Sequence, residues 1–370
     1  MPEQQDLGYF RQFEELEDIP LPEALVSDVL GEMDRCADFA GNVLESSEGF
    51  RDDVRNDLGE KIQHLEPDGP MYDSICGVDG SYTSIEGTGV TVGICSAVSA
   101  GEEFHYNKEV FPAPASQHMG IALQGITTML EMKTAIESQE EMVIYDGSFV
   151  SALVNLNQIL QRRETKPNQG LWDAVDPLLE RYFQEKHYFL DALKKSVFIA
   201  SPKHSPSANY LQNNYPEYVN RFSDRAFFSA VLEEGEYFLT QRTERGTNYA
   251  RDSFYVDDSI TREVEDMFDE QGFVVCFYKP YEWTRAYRME IPKSPETVGN
   301  YESIMRTFGS EIVDPSMIEP YPQWLADAMA KKISELSEMM KDGIQNKLSS
   351  EGFEPEEVNS LLQGYRTEMR

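Results

Sequence analysis

Two aspartates, each set between an apolar run and a Gly-Ser pair, are the residues of this chain best suited to chemistry. Asp79 stands in the segment GVDGS at 77–81, and Asp146 stands in IYDGS at 144–148. Each pattern indicates a strand that brings a carboxylate to its C-terminal end before the chain turns. A single Asp-Gly is also a common hairpin corner with a solvated aspartate. The recurrence after two strand-like runs favours a shared site.

A third acidic residue, Glu131, lies between them in a helical segment with apolar neighbours. It either falls on the polar face of that helix by chance or turns inward, where a cation would offset its desolvation. Carboxylates from two strands and a helix would form a site of hard oxygen ligands for manganese or magnesium. With a phosphate supplying further oxygens, one or two ions would support phosphodiester hydrolysis.

Four further residues are candidates for this site or for its substrate. Lys203 and His204 follow a predicted strand and either contact a phosphate or form a solvated pair in a loop. Arg225 is one of several scattered basic residues that either follow a nucleic-acid backbone or form a solvated face. Asp327 lies near the start of a predicted helix, where an acidic side chain is favourable in any case. There is no P-loop motif, so ATP hydrolysis by that route is excluded.

The charge of the chain is strongly negative, with 66 acidic against 32 basic residues and a net charge of −34. Such a field repels nucleic acids, but the acidic residues are spread along the chain and suit a protein that works in concentrated salt, where fields are screened. An ordinary acidic protein is the alternative. Four scattered cysteines exclude a disulfide framework. The polar N-terminus and the lack of a long apolar run predict a cytoplasmic protein without a membrane segment.

The elements that must position the carboxylates follow from the hydrophobic periodicity. Strands are predicted at 74–79, 89–97, 103–110 and 142–145, with helices at 118–137 and 149–160. Three strands, a helix, a strand and a helix, in that order, predict an α/β fold with a ribonuclease H-like core, a mixed sheet flanked by helices. In that core the first and fourth strands lie side by side, which would bring Asp79 and Asp146 together.

The whole chain divides into three predicted parts. Residues 1–70 form an N-terminal helical arm, interpreted as an interaction or dimerisation element. Residues 71–350 form the catalytic domain, with an insertion at about 205–260, and residues 351–370 form a C-terminal tail with one short helix. Within the domain, further strands are predicted at 196–200, 237–241, 273–278 and 284–291, and further helices at 171–193, 224–232, 303–308 and 323–347.

In their order, these segments resemble the NurA nuclease family. The resemblance runs from about residue 72 to 335 and is carried by VDGS at 78–81, Glu131, YDGS at 145–148, IASPK at 199–203, SD at 223–224 and YP at 321–322. It implies a manganese-dependent single-strand endonuclease and 5′ to 3′ exonuclease acting on DNA. It also implies a homodimer that works with a HerA-type hexameric ATPase translocase in resection of double-strand breaks. Together with the charge, it implies a halophilic archaeal host.

Family resemblance also implies roles for individual residues. Asp79, Glu131 and Asp146 would be metal ligands, and Tyr321 with a residue of the following helix would complete the site. Family members commonly carry a histidine in that helix, and Asp327 is the best candidate here. Two other functions stay open: a non-catalytic acidic scaffold subunit of a HerA-type motor complex, and a metal-dependent phosphatase or nucleotidase. The full carboxylate set favours the nuclease, since clustered unpaired acids repel one another.

Overall fold

The structure is a computed structural model that describes residues 35, 37, 50–165, 169–184, 191–192, 197–203, 207–241, 273–294, 297–315 and 317–362. The chain separates into two units, residues 1–57 and 58–370, and the second contains the sheet described below. Residues 50–58 are helical. Most of the predicted N-terminal arm, the predicted loop at 242–258 and His204 lie outside the described residues.

One mixed sheet forms the centre of the second unit. Its described strands are β1 Ile62–His64, β2 Ile75–Glu86, β3 Thr91–Ala100, β4 Phe104–Ala113, β5 Met142–Tyr145, β6 Val197–Ala200, β7 Glu236–Gln241, β8 Phe273–Lys279 and β9 Tyr287–Pro292. Their order across the sheet is β1-β7-β8-β9-β6-β5-β2-β3-β4. β5 runs parallel to both β2 and β6, and the other described pairings are antiparallel.

Helices cover both faces of this sheet. They are α1 Met119–Glu137, α2 Phe149–Thr165, α3 Gln169–Gln184, α4 Asn209–Asn214, α5 Asp224–Val231, α6 Tyr301–Ser310, α7 Tyr321–Ser350 and α8 Pro355–Leu362. Val143 of β5 packs in the core with α1, α2 and α3, whereas its neighbour Ile144 packs in a second core with α6. This alternation explains why β5 reads as a continuous apolar run. Among the described helices, none is long and apolar enough to cross a lipid bilayer.

The predicted core is confirmed in its main features. β2, β3 and β4 form an antiparallel meander, and β2 pairs with β5 in parallel from Ile75↔Met142 to Val78↔Tyr145. The first and fourth strands of this core therefore lie side by side, as the order of elements predicted. The predicted strands near 197, 237, 273 and 287 are also present.

The prediction that β2 ends at Asp79 is wrong. β2 continues through the Gly-Ser pair to Glu86, because β3 pairs with it as far as Glu86↔Thr91. Asp79 instead lies where the shorter parallel neighbour β5 ends, one residue beyond the last parallel pair. Gly80 is not a turn residue here: a Cβ at this position would lie 2.5 Å from Oε1 of Glu131. The glycine therefore admits a side chain from α1.

Two assignments also differ from the sequence prediction. Residues 62–64, assigned to the arm, form β1 and pair with β7. The segment 205–221, assigned to a loop, contains α4, because the Asp224 carboxylate accepts hydrogen bonds of 3.0 Å from the N–H groups of Tyr210 and Leu211 at the start of that helix. The predicted helix at 171–193 is present as α3, which is described as far as Gln184, and residues 191 and 192 are also helical. The short helix predicted in the tail is present as α8.

The start of α7 lies directly on β2 at Gly77. A Cβ on Gly77 would lie 2.4 Å from both the N and the Cα of Gln323. Backbone at such a distance cannot move aside as a flexible side chain can, so the contact requires glycine. Because Gly77 is two residues from Asp79, the same contact brings the first turns of α7 to the aspartate.

We expect Gly77→Ala to lower the free energy of unfolding by about 1–3 kcal/mol, as is typical of overpacking. Urea unfolding followed by circular dichroism measures this change. Gly120→Ala is the matched control, since a Cβ at Gly120 of α1 meets no atom within 4 Å and should stabilise the helix by about 0.5–1 kcal/mol. Equal stability of Gly77→Ala and the wild type would contradict the close approach of α7.

Candidate metal centre

Three aspartates meet where β5 ends. Asp79 comes from β2, Asp146 directly follows β5, and Asp327 lies in α7; one carboxylate oxygen of each lies within 4.8 Å of the others. The N–H of Asp146 donates to the carbonyl of Val78 at 3.0 Å, which extends the parallel pairing by one residue. This backbone bond fixes the two strand-borne aspartates beside one another.

The ammonium group of Lys203 lies among these carboxylates. Its Nζ is 2.7 Å from Oδ2 of Asp146, 3.0 Å from Oε2 of Glu319, 3.2 Å from Oδ1 of Asp327 and 3.7 Å from Oδ2 of Asp79. One positive charge faces four carboxyl groups, and all the donors are hard oxygens. This donor set fits manganese or magnesium, which carries twice the charge of the lysine.

The pKa values of the buried acids reflect this crowding. Burial, followed by the charges of Asp146 and Glu131, raises the pKa of the Asp79 carboxyl to about 9. Burial also raises the pKa of Asp327, but the hydrogen bond from Lys331 and the charge of Lys203 outweigh it and lower the pKa overall. Burial alone lowers the pKa of Lys203, whereas the surrounding carboxylates raise it above its usual value. The lysine is therefore charged, and the site favours a cation.

Glu131 is turned inward, which decides between the two interpretations of its place on α1. It is 7% exposed, and its Oε2 accepts a hydrogen bond of 3.1 Å from the hydroxyl of Tyr145. Burial raises its pKa to about 8. Among the described residues, the compact group of possible ligands contains Asp327 and not Glu131. Glu131 contacts Tyr145 and Gly80, beside the aspartates.

Arg225 holds the loop that carries Lys203. Its guanidinium donates to the carbonyl of Ala286 at 3.0 Å, to that of Pro202 at 3.4 Å and to that of Lys203. The side chain is buried, and burial lowers its pKa to about 10. We correct the prediction that Arg225 binds nucleic acid, because its donors face carbonyls of the chain itself. Lys203, predicted to contact a phosphate, faces the carboxylates.

Tyr321 and Asp327 both come from α7 but lie in different surroundings. Asp327 lies in the second turn of the helix, where Oδ2 accepts a hydrogen bond of 2.8 Å from Lys331. The ring of Tyr321 is 42% exposed and stacks on Trp324, with 5.9 Å between ring centroids. Its described contacts are this stack and a backbone bond to Glu311. The structure therefore does not bring Tyr321 to the carboxylates.

Two residues of this site were missed in the sequence. Glu319 is 5% exposed and pairs with Lys203, and Gln323 is completely buried and donates to Oδ1 of Asp146 at 2.9 Å. Pro320 and Pro322 mark the start of α7, and residues 323 and 327 are four apart, which places them on one face of a helix. That spacing was the available signal for Gln323.

A buried carboxylate supports the segment that follows Asp146. Glu290 of β9 is completely buried and accepts hydrogen bonds from Oγ of Ser148 at 2.8 Å and from the N–H of Phe149 at 2.9 Å. An ion pair of 2.7 Å with Arg288 balances its charge. A carboxylate at the N-terminus of α2 satisfies otherwise free N–H groups and suits the helix dipole. The turn after Asp146 is thereby fixed.

We expect Lys203→Met to destabilise the metal-free protein by about 3 kcal/mol, since it leaves buried carboxylates without a cation. Manganese should restore more stability to this variant than it adds to the wild type. Thermal unfolding in EDTA and in manganese measures both effects. Lys332→Met on the exposed surface of α7 is the control. If the two variants are equally stable in EDTA, the lysine does not balance the carboxylates.

Comparisons with known proteins bear on the fold. No family model matches the chain, and no curated protein matches it by sequence. The NurA nuclease from Sulfolobus solfataricus superposes with a TM-score of 0.57 at 11% identity, over 90% of this chain and 98% of that one.

Two further NurA structures agree with that match. A structure of NurA with manganese gives a TM-score of 0.54 at 13% identity, over 84% of this chain and 97% of that one. NurA bound to dAMP and manganese gives 0.51 at 14% identity, over 80% and 92%. At such low identity the likeness concerns the fold, and it extends over nearly the whole of each compared chain. The mixed nine-stranded sheet with its flanking helices is a NurA-like fold.

Proposed function

We propose that this protein is a metal-dependent nuclease that hydrolyses phosphodiester bonds of DNA. The observation that carries the proposal is the meeting of Asp79, Asp146 and Asp327 within 4.8 Å, with the ammonium of Lys203 among them. A cluster of buried and half-buried acids is costly to keep, and its chemical use is to hold a divalent cation. The likeness in fold to NurA nucleases supports the same reaction.

The residues of the centre would have different roles in metal and phosphate binding. Asp79, Asp146 and Asp327 would hold one or two manganese or magnesium ions, and Glu319 lies within reach of the same position. A divalent ion, when bound, lowers the pKa of a coordinated water and offsets the charge of the phosphate. Lys203 pairs with three of these residues; with a divalent ion held by them, its ammonium would be available to pair with a phosphate oxygen. Glu131, held by Tyr145, keeps a carboxyl beside Asp79.

An exposed aromatic pair supports a single-stranded substrate. Tyr321 and Trp324 stack on one another in the first turn of α7, and both are 42% exposed. Trp324 directly follows Gln323 and precedes Asp327 by three positions on the same helix, so the pair is within one helical turn of residues of the centre. Unpaired bases stack on such rings, whereas the bases of a duplex are already stacked. We propose single-strand endonuclease and 5′ to 3′ exonuclease activities on this basis and on the resemblance in sequence.

The net charge of −34 is compatible with a DNA substrate in concentrated salt. At about 1 M salt the screening length falls to roughly 3 Å, so repulsion by remote acidic residues is nearly erased. Short-range contacts at the centre then decide binding. We propose a cytoplasmic protein of a halophilic archaeon that acts as a homodimer with a HerA-type hexameric translocase in double-strand break resection; the resemblance in sequence supports these assignments.

We expect Asp79→Asn to abolish cleavage of labelled single-stranded DNA in manganese while leaving the fold intact, because the variant loses a charged ligand. Cleavage is followed on gels with manganese, magnesium or EDTA, from low salt to several molar. Asp342→Asn makes the same charge change on the exposed side of α7 and should cut at the wild-type rate. Cleavage by Asp79→Asn at the wild-type rate would contradict the proposal.

The same assay separates the alternative functions. A scaffold subunit would cut DNA under none of these conditions, with or without the translocase. A phosphatase or nucleotidase would release phosphate from nucleotides while leaving DNA intact. Either result, obtained with the wild-type protein, would contradict the nuclease assignment and favour the corresponding alternative.

We expect Trp324→Ala to weaken binding of single-stranded DNA roughly tenfold, within the ~1–3 kcal/mol that one stacked base contributes. Binding of blunt duplex DNA should change much less. Fluorescence anisotropy in EDTA measures both affinities without cleavage. Trp283→Ala is a matched control, because Trp283 is also exposed and stacks on Tyr281 with centroids 5.0 Å apart, but lies between β8 and β9. Equal effects of the two substitutions would show that the pair on α7 has no special role.

A further inference from the structure

Gln323 is the polar side chain of the centre that has no assigned role. It is the third residue of α7 and is completely buried. Its Nε2 donates two hydrogen bonds, one to Oδ1 of Asp146 and one to the carbonyl of Ser201, both at 2.9 Å. Both partners can only accept, so the amide must turn its NH₂ group toward them. The orientation of the side chain is therefore fixed by its surroundings.

This arrangement assigns different roles to the two oxygens of Asp146. Oδ1 is occupied by the amide of Gln323, whereas Oδ2 faces the cation position and lies 2.7 Å from Nζ of Lys203. A carboxylate held in this way presents Oδ2 to the cation position, and the hydrogen bond to Oδ1 opposes rotation of the carboxylate. Groups that orient a ligand through such bonds commonly change metal affinity by about 10- to 100-fold.

The backbone of Gln323 adds a second constraint. Its N and Cα lie against Gly77 on β2, and the position four residues later on the same helix is Asp327. One turn of α7 therefore carries both the amide that orients Asp146 and a carboxylate of the centre. The contact at Gly77 fixes the distance between that turn of α7 and β2, and therefore its distance from Asp79.

The carbonyl oxygen of Gln323 argues against a purely structural role. Among the described residues it is a buried acceptor without a hydrogen-bond partner. Burial of such a group is unfavourable, and an apolar side chain of similar shape would avoid that cost. A residue that only filled space between β6 and α7 would have no reason to be polar.

We propose that Gln323 is a positioning residue that orients Asp146 to bind a metal ion through one oxygen. Because the backbone of Gln323 packs on Gly77, this orientation depends on how α7 packs on β2. This inference rests on the proposed function, because it assumes that the centre holds a divalent ion. Gln323 touches neither the ion nor the substrate. It acts through Asp146.

The test is the affinity of the DNA-free protein for manganese, measured by calorimetry or by electron paramagnetic resonance. Gln323→Met keeps the length of the side chain and removes both hydrogen bonds, and we expect it to weaken manganese binding about tenfold. Gln124→Met, at an exposed position of α1, should leave the affinity unchanged. If Gln323→Met alters stability but binds manganese as the wild type does, the role is structural and the inference is overturned.

A second variant covers the case in which Gln323→Met folds poorly. Gln323→Glu keeps the shape but can donate to Asp146 only while its carboxyl is protonated. We expect its manganese affinity, relative to the wild type, to fall as the pH rises. A constant ratio, or tighter binding than the wild type at high pH, would overturn the inference. Wild-type protein that binds no manganese would instead contradict the proposed function.

Discussion

Repulsion between crowded carboxylates, some buried and some half-buried, is the interaction on which the rest of this structure depends. Asp79, Asp146, Glu319 and Asp327 surround one ammonium group, and Glu131 is buried beside them. In water these acids would separate, but here each is fixed by an element with its own apolar packing. The sheet and α7 hold together a charge arrangement that opposes folding, which is usual where stability is sacrificed for binding or catalysis.

Glycine determines how closely those elements can approach. Gly77 and Gly80 lie on opposite faces of β2, one beneath Gln323 of α7 and the other beneath Glu131 of α1. Asp79 therefore stands between two close contacts, each of which delivers polar groups from a different helix. Packing explains the Gly-x-Asp-Gly pattern. Without a Cβ at Gly77 and Gly80, α7 on one face of the sheet and the Glu131 side chain of α1 on the other can both approach the strand beside Asp79.

The fold was largely predictable because periodicity reports burial. Strand-type apolar runs separated by Gly and polar corners predicted the meander, and the order of elements predicted the parallel neighbour of β2, so Asp79 and Asp146 could be paired from sequence. Asp-Gly-Ser misled the prediction of where β2 ends, since turn preference in the segment is overridden by pairing with β3. The contribution of Glu319 and the burial of Arg225 depend on contacts between segments remote in sequence, which local patterns do not encode. For Gln323, the spacing of four residues from Asp327 was the local signal that was missed.

The positions of the ligands along the chain have a consequence for how the centre is assembled. The parallel pairing of β2 and β5 brings Asp79 and Asp146 together. Lys203 lies later in the chain, just after β6, and Asp327 lies later still, in α7. Bringing such distant positions together costs loop-closure entropy. During synthesis, the carboxylates at 79 and 146 exist before the residues that complete the centre. A ribosome-bound or truncated chain that ends before α7 therefore lacks Asp327, so the three aspartates can meet only after α7 has been made.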